Sequence, residues 1–197
     1  MAAGKRVSRR RGTPLQSYLK WRGARRWLIV MVVAAVLSAM AVVDRRGGML
    51  HQGGDWQRYH GRAFTVLRVV DGDTLLVDEP DGEQPATRVR LWGIDTPEMH
   101  VTDADRGPEP LAQEATDFAK RLAEGQRVVL ELERHDTRGR YGRLLAYVRL
   151  PDGTYLNEQL LMVGLARAEQ RFSHSQMDRY VLLERQAKHD EVGLWAK

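Results

Sequence analysis

At 197 residues the chain has room for one domain and an appendage, and it has no cysteine, which excludes disulfides, thiolate metal centres and thiol nucleophiles. Its formal charge of +5 is unevenly spread: residues 1–60 hold 12 Lys/Arg against 2 acids, whereas residues 61–197 hold 19 against 24, a balance of −5. The basic character belongs to the N-terminal arm, so any case for a polyanionic partner must rest on local arginines and not on the overall field.

In chain order, residues 1–26 form an arginine-rich arm without an acid, and residues 27–43 (WLIVMVVAAVLSAMAVV) form a 17-residue uncharged run. As a helix this run is about 25 Å long, slightly short of a ~30 Å hydrocarbon core. Flanking positive charge keeps the N-terminus cytoplasmic, so the expectation is a single-pass anchor in the cell membrane with the C-terminal domain outside the cytoplasm. The alternative is a cleavable signal segment, because Ala39-Met40-Ala41 has the A-x-A pattern of a cleavage site and would release a secreted domain. Residues 44–61, with two Gly-Gly pairs, read as a flexible linker.

Residues 62–197 alternate strand and helix signals. Strands are expected over 63–70, 74–78, 87–94, 126–133 and 144–150, from alternating β-branched and apolar residues bounded by turn chemistry. Helices are expected over 108–124, 157–166 and about 176–190, the first with Leu111, Ala115, Phe118, Ala119 and Leu122 on one face. The order suggests an α+β domain: a five-stranded barrel of the OB type with about three packed helices, besides the N-terminal hydrophobic helix.

Two segments carry chemistry. The first joins Asp71-Gly72-Asp73-Thr74 to Arg90-Leu91-Trp92-Gly93-Ile94-Asp95-Thr96-Pro97-Glu98. If strands 74–78 and 87–94 pair antiparallel, positions 73 and 95 face each other within a residue or so. Two carboxylates at one end of a hairpin are costly without a cation between them, and hard oxygen ligands suit Ca²⁺, Mg²⁺ or Mn²⁺. Glu98 is spaced to act on a nearby water, and Arg90 offers a planar fork for phosphate. Positions 90 and 95 point to opposite faces of a regular strand, so this arrangement requires a break, for which Gly93 is the candidate. Taken singly, the Asp-Gly-Asp run reads as a plain β-turn and Asp95–Glu98 as a capping turn; it is their combination with a strand arginine five residues upstream of Asp95 that favours a site. The second segment, Arg138-Gly139-Arg140-Tyr141-Gly142-Arg143, reads either as a solvated hairpin loop or as a phosphate clamp built from Arg143, Arg140 and Tyr141.

These motifs, with Leu156-Asn157-Glu158 and the final Gly-Leu-Trp, resemble the staphylococcal nuclease (thermonuclease) family in order and spacing over residues 62–197. The resemblance implies an OB-barrel nuclease that binds one Ca²⁺ and hydrolyses DNA and RNA phosphodiesters. By position it implies Asp73, Asp95 and the backbone carbonyl of Thr96 as metal ligands, with Asp71 supporting them. It further implies Arg90 and Arg143 as stabilisers of charge on phosphorus, Glu98 as the residue that handles water, and Arg140 and Tyr141 as phosphate contacts. Where the family places two tyrosines near the base, this chain has Gln170 and Phe172, of which Phe172 can stack. The loop 99–107 carries Asp103 and Asp105, so weaker substrate binding is expected than in a basic relative. A monomer without an obligate protein partner is expected. The rival readings are a non-catalytic OB module with a dead site and a membrane scaffold whose basic arm binds anionic lipid.

Overall fold

The alternating apolar positions of residues 62–149 close into a barrel. A computed structural model describes residues 31–35, 38, 52–99 and 107–197. The strands are β1 (Arg62–Asp71), β2 (Thr74–Val77), β3 (Thr87–Leu91), β4 (Ile94–Asp95), β5 (Arg127–Glu131), β6 (Leu144–Arg149) and β7 (Arg167–Ala168); the helices are α1 (Gln52–Tyr59), α2 (Ala112–Ala123), α3 (Leu156–Met162) and α4 (Met177–His189), followed by a 3₁₀ turn at Gly193–Trp195. Five strands form a closed barrel in the order β1-β2-β3-β6-β5, with β3 and β6 parallel and the other pairs antiparallel.

The core holds Val66, Val69, Leu75, Val89, Leu91, Leu130, Leu144 and Val148 from the barrel and Leu156, Leu160 and Tyr180 from the helices. Val66 and Val69, three apart, could not both face inward in a regular strand. The register slips between Val66, which pairs with Val77, and Arg68, which pairs with Leu76. That bulge turns Leu67 out, 54% exposed, and restores Val69 to the core.

Several expectations need correction. Residues 52–59 are not linker but helix α1, and they belong to the domain. Tyr59 is fully buried and its hydroxyl hydrogen-bonds Thr87 Oγ1 at 2.9 Å. His60 Nδ1 accepts the Leu132 N–H at 3.0 Å, and Trp56 stacks on His60. Two adjacent glycines at the start of α1 are poor helix formers, and packing overrides that preference. Helix α2 begins at Ala112, not at 108, because Pro108 and Pro110 lie just before it and the chain passes through a left-handed Leu111 (φ 66°). Helix α3 stops at Met162 ahead of Gly164, and the chain then forms β7, a two-residue strand paired with β4.

The chain divides into two units, Met1–Arg45 and Arg46–Lys197. Of the expected span 27–43, residues 31–35 and 38 are helical and exposed, and the rest lies outside the described residues. Among the described residues no helix is long and apolar enough to cross a membrane.

Candidate active site

The site is built at one end of β1, β2 and β3. The turn between β1 and β2 places Asp71 and Asp73, and Asp71 Oδ1 accepts the Asp73 N–H at 3.2 Å. A Cβ on Gly72 would lie 2.8 Å from Thr96 Oγ1 and 2.9 Å from the Ala115 Cβ. Glycine is thus required for the turn to lie against Thr96 and α2, which separates this segment from an ordinary β-turn.

The Asp73 carboxylate is buried and held from several directions. Its Oδ1 accepts the Thr74 hydroxyl at 3.1 Å, and its Oδ2 accepts both the N–H and the hydroxyl of Thr96 at 3.1 Å. Arg90 reaches Asp73 with Nη1, as an ion pair without a well-aligned hydrogen bond, and donates from Nη2 to Asp95 Oδ1 at 2.7 Å. One guanidinium therefore lies between the two acids.

The registry differs from the sequence expectation. Thr74 pairs with Arg90, and the Leu91 N–H donates to the Asp73 carbonyl at 2.8 Å, so residue 91, not 95, stands opposite 73. Asp95 reaches the site because the chain folds back at Trp92-Gly93, where Gly93 adopts φ +78°. The break expected at Gly93 is present, and it ends β3 and starts β4. A Cβ on Gly93 would also collide with the His174 ring, so two independent constraints exclude a side chain there.

Glu98 and Arg143 complete the cluster. Loss of hydration foremost, then the Asp71 charge and, further down, Asp95, push the Glu98 carboxyl above its ordinary range, against the pull of Arg90 and Arg143. Burial pulls the Arg90 guanidinium below its usual value; Asp95 opposes this and the nearby Arg143 adds to it. Arg143 Nη1 donates to Thr74 Oγ1 at 3.4 Å, and its Nε is buried without a hydrogen-bond partner among the described residues. Glu98 and Glu109 are tied: the Glu98 N–H donates to the Glu109 side-chain Oε2 at 3.1 Å and the Glu109 N–H to the Glu98 carbonyl at 3.0 Å. The acidic loop between them lies outside the described residues over 100–106.

A groove of about 560 Å³ opens beside this cluster, lined by Arg90, Trp92, Arg140, Tyr141, Arg143 and Phe172, among others. Tyr141 is 76% exposed, with the Arg140 and Arg143 guanidinium carbons 5.9 and 5.8 Å from its ring centroid. Phe172, also exposed, stacks on Trp92 with ring centroids 6.2 Å apart. Trp92 joins the groove without an expectation from sequence, and its one sequence signal is an aromatic beside the Gly93 break. Gln170 lines a separate depression beside Leu182 and Arg185, so Phe172 alone of that pair serves the groove. Arg138 does not belong to the clamp: its side chain, 9% exposed, pairs with Asp55 and Asp81.

The donors of Asp73, Asp95 and the Thr96 backbone are all oxygen, and both carboxylates already share one cation in Arg90. Asp73 Oδ1 carries one donor and Asp95 remains half exposed, which leaves lone pairs for a hard divalent ion. Among the described residues no three His, Cys, Asp or Glu side chains gather to hold a metal ion, so the donors that would hold one are the two carboxylates and the Thr96 carbonyl.

A closed mixed barrel with two carboxylates, two arginines and a glutamate at one end defines an OB-type domain equipped for anionic, phosphate-bearing ligands. The family model for staphylococcal nuclease homologues matches residues 88–197. The chain is 34% identical over 170 residues to a thermonuclease of Staphylococcus hyicus, covering 86% of this chain and 95% of that one. It is 32% identical over 174 residues to a thermonuclease of Staphylococcus intermedius (86% and 96%), and 35% identical over 135 residues to the endonuclease YncB of Bacillus subtilis (68% and 61%). The chain belongs to the staphylococcal nuclease family.

Proposed function

We propose that the chain is a metal-dependent nuclease that hydrolyses phosphodiester bonds of DNA or RNA by in-line attack of water, with Ca²⁺ as its metal and Mg²⁺ or Mn²⁺ as substitutes. The observation that carries this reading is the convergence of Asp73, Asp95, Arg90, Arg143 and Glu98 at one end of the barrel, beside an open groove where Arg140 and Arg143 have no carboxylate partner among the described residues.

Asp73, Asp95 and the carbonyl of Thr96 would hold the ion, with Asp71 behind them. When bound, the ion supplies a Lewis acid for a phosphate oxygen. The remaining work falls to the chain. Arg90 approaches from β3 and Arg143 from the residue before β6, so a phosphate between them would meet two guanidinium groups as charge builds on its oxygens, that of Arg90 once it lets go of the carboxylates it pairs with here. The unpartnered Arg143 Nε is a buried donor that a phosphate oxygen would satisfy. Glu98, with its raised proton affinity, takes a proton from the attacking water better than an ordinary surface carboxylate. Tyr141 and Arg140 border the strand backbone, and Phe172 on Trp92 offers a face for a base.

Residues 27–43 support a proposal of export, either as an uncleaved anchor or as a cleaved signal, with the domain acting outside the cytoplasm.

The test is cleavage of single-stranded DNA and RNA by the full-length protein with Ca²⁺, after chelation, and in Glu98→Gln. The expected result is metal-dependent cleavage that falls on the order of 10²- to 10⁴-fold in the variant. Ca²⁺ should also raise the melting temperature of the wild type but not of Asp95→Ala. A folded wild type inert with all three metals would overturn the proposal.

A further inference from the structure

A second concavity of about 450 Å³ lies on the far side of Tyr141 from the reaction groove. Leu76 and Arg88 line it from the barrel, Gln84 and Pro85 from the β2–β3 connection, and Tyr141 and Arg143 from the other side. Tyr141 and Arg143 border both concavities, so they form a shared wall.

The floor is set by strand geometry. Along β3, Thr87, Val89 and Leu91 are buried, which turns Arg88 and Arg90 to the outer face. Arg88 therefore stands one outward position from Arg90, about 7 Å along the strand and of the order of one nucleotide step. Across the sheet, Leu76 pairs with Arg88 on one side and with Arg68 on the other. This makes a row, Arg68–Leu76–Arg88, with the two guanidinium-bearing residues about 10 Å apart and an apolar side chain between them.

The charges in this row are available. Arg58, Arg90, Arg138, Arg149, Arg171 and Arg179 each have a carboxylate partner. Among the described residues Arg68, Arg88, Arg140 and Arg143 have none within ion-pair distance, as is true of six arginines elsewhere on the domain; what distinguishes these four is that they lie together. Asp81, the acid bordering the concavity, is already engaged by Arg138. In a domain whose balance is −5, a run of unpaired arginines from the reaction groove to the outer barrel face is a local departure from the overall field.

We infer that this second concavity binds the part of a polynucleotide strand that flanks the cleaved phosphodiester, with Arg88 and Arg68 on its phosphates and Leu76 and Pro85 against its sugar or base. The inference rests on the phosphodiesterase reading above and extends it: the strand crosses the Tyr141–Arg143 wall, and Arg88 and Arg68 supply part of the gain in kcat/KM that a longer strand brings.

The test compares kcat/KM of the full-length protein on a 12-nucleotide single strand and on a dinucleotide of the same composition, in wild type, Arg88→Gln, Arg88→Lys and Arg68→Gln/Arg88→Gln. The long-to-short ratio should fall about 3- to 5-fold in Arg88→Gln, recover in Arg88→Lys, and fall about 10-fold in the double variant. The slope of log KM against log salt for the long strand should flatten by about 0.7 for each phosphate contact removed. Wild-type cleavage of both substrates with an unchanged ratio and salt slope in Arg88→Gln overturns the inference alone. A wild type that cleaves neither length overturns the phosphodiesterase reading and, with it, this one.

Discussion

Replacing Arg138 by Leu tests how the loop carrying Tyr141 and Arg143 is held. The Arg138 fork donates from Nε to Asp55 Oδ2 at 2.7 Å and from Nη2 to Asp55 Oδ1 at 2.8 Å. It also pairs with Asp81 and donates from Nη1 to the Gly142 carbonyl at 2.9 Å. The Asp55 side chain is 5% exposed and that of Asp81 26%. Without the guanidinium, Asp55 keeps one hydrogen bond, from the Thr137 hydroxyl at 3.2 Å. Removing one partner of a buried pair costs roughly 3–5 kcal/mol, and the partial exposure of Asp81 places this case near the lower end, at about 3 kcal/mol. With a urea slope of about 2 kcal/mol/M, the unfolding midpoint should drop by about 1.5 M. Urea titration of the full-length protein in mild detergent, followed by tryptophan fluorescence, measures it, since Trp56 sits on α1 against His60. In Asp55→Asn/Arg138→Leu no buried charge is stranded at position 55, so the double variant should be more stable than the sum of the two single losses predicts. A loss within about 0.5 kcal/mol for Arg138→Leu, or simple additivity in the double variant, would refute the reasoning.

Gly93→Ala combines a positive φ with a collision against His174, and should destabilise the protein by at least about 2 kcal/mol and lower kcat by displacing Asp95; denaturant and rate measurements check both. A chain starting at Arg62 loses the fully buried Tyr59 and the Asp55 partner of Arg138, and should melt well below a chain starting at Arg46; equal melting temperatures would count against α1 as part of the domain. His174 packs among Trp92, Tyr147 and Tyr180, near Glu133, Glu169 and Ser175, and burial is the main cause that holds its proton affinity below the usual value. The unfolded chain then binds the proton more readily, so stability is retained above pH ~6.5 and falls as pH drops below it. Stability measured from pH 7.5 to 5.5 should show this fall in wild type and a shallower one in His174→Gln; parallel curves would refute the assignment.

The barrel strands and the five residues of the cluster were legible because each rests on short-range pattern: alternation, a Gly-broken turn, a glycine where strand parity failed. What the sequence concealed depends on distance. Arg138, Arg140 and Arg143 lie in one basic run, and it is the carboxylates of Asp55 and Asp81, 83 and 57 positions away, that make the first structural, while Arg140 and Arg143 have no carboxylate partner among the described residues. Helix α1 has linker composition and is held in place by Thr87, Leu132 and Arg138, none of them local. The hairpin register could be guessed from turn position but not fixed, and the approach of Asp95 came from the fold-back, not from cross-strand facing. Strands of two residues, as in β4 and β7, carry no periodicity to read.

The barrel has a seam. Along β3 and β6 the parallel ladder spans only Val89–Leu144, Arg90–Leu145 and Leu91–Ala146, because the fold-back at Trp92 takes β3 away. Beyond it the fully buried Asn157 substitutes for the missing strand: its Oδ1 accepts the Val148 N–H and its Nδ2 donates to the Trp92 carbonyl, each at 3.0 Å. A single amide thus finishes the cylinder. Arg90 lies on one lip of this seam and Arg143 leads into the other, so an anion gripped by both acts as a stitch across it. Breathing of the cylinder and occupancy of the site become linked quantities, and proton exchange at the Trp92 and Val148 amides should slow when a nucleotide phosphate is bound.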